Sequence, residues 1–329
     1  VDTPDCITVE CNLCGSTHAE PIRVGRDLML GHPGEWTLVQ CRRCGFIYLN
    51  PRPRDMAPYY EGSYLPFEHR PKHTLIPRRP KSKIEEVSVG AAGGYYSLLQ
   101  QVTKATSGQL LDVGCATGDF LVVAATAGWT VTGCDLSIFA TEQAKQRLRP
   151  FPDARIFHGT LESLQLPSDS FDIVTLWHSI EHVENPKATL HEVYRLLKPN
   201  GRLILQTPAW LSLESQLFKH YWAGLDFPRH LSLFSHTTLK RLLQQIGFSS
   251  IRSLYQTSYY FSLTSIIFAA QQYLPATLLS KLYQLLSLGP MMLYSSPFFR
   301  VIDNCGLGSL LTFVASKPMP LKHHDDRFS

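Results

Sequence analysis

The stretch LLDVGCATGDFL, residues 110–121, constrains this chain more than any other. Apolar Leu110 and Leu111 lead into Asp112, the glycines Gly114 and Gly118 bracket a short loop, and the helix-like run DFLVVAATAG follows. A strand, a glycine loop and a helix N-terminus in that order present bare backbone N–H groups at one point, a ready site for an adenosyl-type ligand. A dinucleotide fingerprint requires glycine where Ala116 stands, so the spacing argues against a pyrophosphate.

The pattern around this loop alternates strand and helix from about residue 85 to 255, which predicts a parallel sheet flanked by helices. Apolar runs at 109–114, 130–135, 154–158, 171–176 and 201–206 are the expected strands, with helices at 118–127, 137–149, 186–197 and 235–247. Asp135 closes the second strand about 20 residues past the loop, where a carboxylate accepts hydrogen bonds from ribose hydroxyls. Thr160 and Leu161, after the third strand, are placed to border an adenine ring.

The N-terminal region is a different kind of sequence. CNLCGS at 11–16 and CRRCGFIYLNPRP at 41–53 carry the pairs Cys11/Cys14 and Cys41/Cys44. Each CxxCG reads as a knuckle in which glycine permits the turn, so four thiolates can close one structural tetrahedral Zn2+ site with no position left for water. Eight cysteines in 329 residues are too few for a disulfide scaffold. No basic, apolar leader opens the sequence, and the expected compartment is the cytoplasm. With 44% hydrophobic and 18% charged residues the chain can bury one large core and a smaller satellite. Its net charge of +4 is mild, and no nucleic-acid partner is expected. An RNA- or protein-binding knuckle is the alternative from another functional class.

Taken in order, LLDVGCATGDFL, GCDLS, SFDIVTLWHSIEHVENP and EVYRLLKPNGRLI resemble the class I S-adenosylmethionine-dependent methyltransferases over roughly residues 108–207. The CxxC pairs, NPRP and DFPRHLSLFS extend the resemblance to a bacterial group that carries an N-terminal zinc-binding element. That resemblance implies an α/β Rossmann-like seven-stranded sheet of order 3-2-1-4-5-7-6. It implies S-adenosylmethionine as cofactor, with Asp112, Gly114, Cys115 and Gly118 shaping the methionine and ribose pocket. Asp135 would hold the ribose, and Leu136 would flank the adenine. Trp177, at the end of the fourth strand, would be among the cofactor-binding residues, and Thr160 replaces the aspartate many relatives place near the adenine amine. The tyrosines Tyr59, Tyr60 and Tyr64 either fold over the cofactor or pack between knuckle and core.

The expected domains are a zinc-binding knuckle over 1–55, a basic, proline-rich linker and cofactor-capping segment over 56–90, and a methyltransferase core over 91–258 with 307–318. An apolar insertion over 259–306 reads as two helices broken near Pro275 and Gly289-Pro290. Neither is a clear membrane span. The insertion is expected to cover substrate, pair with a second copy in a homodimer, or touch a membrane interface through 259–299.

Methyl transfer to a hydroxyl needs a base, and His178, His182 and His230 are the candidates. A minority alternative sets His178, Glu181, His182 and His230 around a divalent ion. The acceptor suggested by the bacterial group is an oxygen of a sugar-containing or lipid-linked molecule, such as a glycolipid, from a cell-surface polysaccharide pathway. The alternative is O-methylation of a small aromatic or quinone-type phenol.

Overall fold

The computed structural model describes residues 5–60, 91–286 and 289–319. Tyr64 and the basic segment 66–84 lie outside the described residues.

Five short strands open the chain: β1 (Cys6–Ile7), β2 (Ala19–Gly25), β3 (Trp36–Cys41), β4 (Ile47–Leu49) and β5 (Arg52–Pro53). Side chains of β3 alternate between two buried faces, so Trp36 and Leu38 face one way while Val39 and Cys41 face the other. Trp36 and Leu38, with Ile47 and Leu49, pack on Trp222, Leu225, Phe227 and Leu231. The opposite face joins the main core through Cys11, Leu13, Phe46 and Tyr48. Side chains of this size contribute roughly 1.5–3 kcal/mol each on full burial, so the N-terminal region is fastened on both faces.

The core follows in alternation: α1 (Ala91–Thr103), β6 (Gly108–Val113), α2 (Asp119–Thr126), β7 (Trp129–Asp135), α3 (Ile138–Arg147) and β8 (Arg155–His158). Next come β9 (Phe171–Trp177), α4 (Pro186–Leu196), β10 (Leu197–Pro208), α5 (Leu213–Phe218) and β11 (Ser232–Leu233). The chain continues through α6 (His236–Ile246), β12 (Ser249–Gln256), α7 (Tyr259–Ala270), α8 (Ala276–Leu286), α9 (Gly289–Asn304) and β13 (Leu310–Ser316). Local chemistry sets the boundaries. Ser137 and Asn185 cap α3 and α4, a capping box at Ser235 and Thr238 starts α6, and Gly247 at φ 111° ends it.

Seven strands form one mixed sheet in the order β12-β13-β10-β9-β6-β7-β8. The five from β10 to β8 are parallel, while β13 runs antiparallel to both β10 and β12. The N-terminal sheet has order β11-β4-β3-β2. Its edge strand β11 comes from the segment after β10, so the knuckle region is completed by residues far outside 1–55.

The insertion holds three helices, not the two expected. Gly289-Pro290 opens a third helix, where proline's missing N–H costs nothing, and Pro297 stays inside it. Leu263, Ser265 and Phe268 of α7 are buried, whereas Leu278, Tyr283 and Leu285 of α8 are exposed. Among the described residues no helix is long and apolar enough to cross a membrane.

Candidate active site

The glycine loop after β6 is shaped by steric necessity. Gly114 has φ 75°, and a Cβ there would lie 2.6 Å from Ser179 Cβ. Gly118, at φ 80°, would meet Ala144 Cβ at 2.9 Å. Both positions therefore exclude a side chain twice over, by backbone conformation and by close approach. Asp135 lies beside the loop: Oδ2 accepts from Ala116 N at 2.9 Å and Oδ1 from Ser137 N at 2.9 Å. Burial pushes its carboxyl up, against the pull of these N–H groups. Each oxygen keeps a lone pair for a further donor. Leu136 is 63% exposed next to it, an apolar surface beside the loop. Trp177 stacks parallel to Tyr95 at 4.6 Å and meets Phe120 edge-on at 5.6 Å, leaving its buried Nε1 without a partner.

Four residues expected at the cofactor have their side chains engaged within the protein. Asp112 is buried inside the sheet, where it accepts from Thr175 Oγ1 at 2.7 Å, and burial pushes its carboxyl up to about 7. The Cys115 sulfur packs against Gly133, where an added Cβ would meet it at 2.8 Å, so only its backbone faces the loop. Thr160 uses its hydroxyl to cap the short turn that follows. Leu161 is buried in the main core. Tyr59 likewise packs on Trp36 and His32.

Past β9 and β10 a second group of side chains converges. His178, at φ 52°, lies with Nδ1 3.4 Å from Glu181 Oε1 and stacks on Phe261 of α7 at 5.9 Å. Glu181 is fully buried; burial raises its carboxyl, but His178 and then His230 and His182 outweigh this and hold it at about 2. His182 and His230 meet edge-on at 4.7 Å. His182 Nδ1 donates to the Arg229 carbonyl at 3.0 Å, and His230 Nδ1 to the Gly224 carbonyl at 2.8 Å. Burial, then the neighbouring His230, pushes His182 down to about 4. The Tyr60 hydroxyl reaches the same place, 3.1 Å from His182 Nδ1.

What holds this group together is a network the sequence reading missed. Arg229, fully buried, donates two hydrogen bonds to Asp27 at 2.9 and 2.8 Å and two to Asp226 at 3.0 and 2.6 Å. Asp27 belongs to the N-terminal region and also accepts from the N–H groups of Met29 and Leu30. The N-terminal region thereby fixes the carbonyl that orients His182. The i,i+3 pair Asp226 and Arg229 was a usable signal in DFPRH; Asp27, two hundred residues away, was not. Glu214 of α5 was also missed: it is 8% exposed, hydrogen-bonds Ser262 of α7, and is pushed up to about 7 by burial.

The four cysteines form a second centre. Cys11 and Cys44 sulfurs are 3.5 Å apart, as are those of Cys14 and Cys41, and all four lie within 4.8 Å of one another. A tetrahedral Zn–S bond of about 2.3 Å places sulfurs about 3.8 Å apart, so the set fits. Gly15 at φ 69° and Gly45 at φ 76° turn each knuckle. Burial raises the Cys41 thiol, but N–H groups of Cys44 and Arg43 outweigh it and hold it at about 7.

Residues 88–253 match the family described as Methyltransferase domain. The chain belongs to that family. Its core has the class I S-adenosylmethionine-dependent methyltransferase fold. The chain is similar to the mitochondrial ubiquinone biosynthesis O-methyltransferase of Schizosaccharomyces pombe, 41% identical over 103 residues, covering 30% of this chain and 37% of that protein. It is 29% identical over 117 residues to the demethylmenaquinone methyltransferase of Lysinibacillus sphaericus, covering 34% of this chain and 50% of that protein. Phosphoethanolamine N-methyltransferase 2 of Haemonchus contortus, solved with S-adenosyl-L-methionine, aligns with TM-score 0.49 and 21% identity over 69% of this chain and 53% of that one. The first curated relatives are matched over only 37–58% of their own length.

Proposed function

We propose that the protein transfers the methyl group of S-adenosylmethionine to the hydroxyl of a quinone-type phenol. The observation that carries the reading is the close approach of two groups at one sheet edge: Gly114 of the loop lies against Ser179, the residue next to His178, which stacks on Phe261. The names of the curated relatives, a ubiquinone biosynthesis O-methyltransferase and several demethylmenaquinone methyltransferases, support the phenol over the sugar-linked acceptor. The apolar cover supplied by α7 favours an aromatic or lipid-like acceptor in the same way.

S-adenosylmethionine supplies a methyl already activated on a sulfonium, so the protein's work is alignment and proton removal. Asp135 and the backbone of 114–118 hold the donor. His178 is the base: it is 24% exposed at the rim and faces Phe261, whereas His182 and His230 are tied inward by carbonyls. The acceptor oxygen attacks the methyl carbon, the C–S bond breaks with its electrons going to sulfur, and the acceptor proton passes to His178. The four cysteines hold a structural Zn2+ that fastens the N-terminal region without entering the reaction.

The test is incubation with methyl-labelled S-adenosylmethionine and, in parallel, a prenylated catechol and a nucleotide-linked sugar. Label in the catechol, lost in His178→Ala, is the expected result. Label in the sugar alone would overturn the phenol reading.

A further inference from the structure

We propose that Glu181, His182 and His230 form a divalent-cation site distinct from the four-cysteine centre, built for a borderline transition ion such as Zn2+, Co2+ or Mn2+.

Three observations carry this. One ligand atom from each of the three residues lies within 4.8 Å of the others. Among the described residues neither oxygen of Glu181 has a hydrogen-bond partner, although the residue is fully enclosed. Leaving such a carboxylate unsatisfied is expensive, and a cation is what relieves it. The nearest competitor is His178 Nδ1 at 3.4 Å, on the rim.

The third observation is the tautomer state of the two imidazoles. A carbonyl oxygen only accepts, so the contact to Gly224 O places the ring proton of His230 on Nδ1; on His182, a proton on Nδ1 serves both the Arg229 carbonyl at 3.0 Å and the Tyr60 oxygen at 3.1 Å. Each Nε2 is left with a lone pair. The anion nearest His230 Nε2 is Asp226 Oδ2 at 3.9 Å, beyond hydrogen-bond reach. Backbone carbonyls that orient a histidine through its other nitrogen are the usual outer support of a metal ligand. Here that support is itself braced, because Arg229 is locked between Asp27 and Asp226. Two imidazoles and one carboxylate suit a transition ion better than Mg2+ or Ca2+, which prefer all-oxygen sets.

If the phenol reading holds, such an ion would polarise the acceptor hydroxyl while His178 takes its proton. Cation binding itself does not depend on that reading.

The experiment uses the full chain loaded with one equivalent of Zn2+ to fill the four-cysteine centre and then titrated with Co2+, with metal content measured in parallel. Wild type is expected to take a second ion per chain, with cobalt absorption lacking the intense thiolate charge-transfer bands. Glu181→Gln and His230→Gln should weaken that second ion about a hundredfold, while circular dichroism and the heat of S-adenosylhomocysteine binding stay unchanged. Should either variant fail to fold, the second cobalt phase of the wild type decides alone. Saturation at one ion per chain would overturn the proposal, as would a second ion that persists unaltered in both variants. A bound ion with no methylated catechol would sink the phenol reading and leave the site standing.

Discussion

The side of the sheet edge proposed to hold the cofactor draws its key groups from two neighbouring loops, residues 112–118 and 135–137. The side proposed to hold the acceptor draws on the loop after β9, the segment 226–230, α7, Tyr60 and Asp27. The first is a local backbone device in which glycine geometry does most of the shaping. The second is a long-range assembly in which one buried arginine ties the N-terminal region to a histidine. A local device tolerates damage elsewhere in the chain; an assembly of this kind fails when any contributor is lost.

The largest expected effect lies on the assembled side. Arg229→Met removes the guanidinium shared by Asp27 and Asp226, leaving His32 as the remaining side chain on Asp27, and should lower stability by about 3–5 kcal/mol, read from urea unfolding. A loss below about 1 kcal/mol would mean the network is ornamental and the comparison misplaced.

Glu214 sharpens the contrast through pH. Its folded-state carboxyl titrates at about 7 against an ordinary 4.5, so between those values the folded protein holds a proton the unfolded chain has lost. Stability from this group is complete below pH 4.5 and falls as pH rises to about 7, by up to about 1.4 kcal/mol per unit. Glu214→Gln should flatten the difference in stability between pH 5 and 7; an unaltered slope would show that the carboxyl is ionised as usual.

On the cofactor side, Asp135→Ala should cost about 1.5–3 kcal/mol of donor affinity, measured with S-adenosylhomocysteine by calorimetry. The urea midpoint should barely move, and loss of the fold instead would make Asp135 a structural carboxylate. The smallest effect belongs to the cover. Phe261→Ala should raise the acceptor KM roughly fivefold, about 1 kcal/mol, and leave S-adenosylhomocysteine affinity alone.

The same contrast explains what could be read from the sequence. β6 through β10 and the glycine loop were legible because apolar runs, glycines at fixed offsets and caps such as Ser137 and Asn185 are all local signals. At Thr160 and Leu161 a loop position says nothing of where the side chain goes; one caps a turn and the other enters the core. The third insertion helix was missed because Gly289-Pro290 reads as a break, and proline is equally a good first residue of a helix. The pairing of β11 with β4 and the link from Asp27 to Arg229 leave no local trace at all.

The most direct test of this division is the affinity for S-adenosylhomocysteine before and after a chelator strips the four-cysteine centre, measured by calorimetry on the full chain. The predicted result is an affinity within about threefold of the starting value, a difference under about 0.7 kcal/mol, because the backbone N–H groups that bond the Asp135 carboxylate, Ala116 and Ser137, belong to the core loops and not to the N-terminal region. Donor binding that disappears in step with the metal would contradict it, and would make the two sides of the edge a single unit.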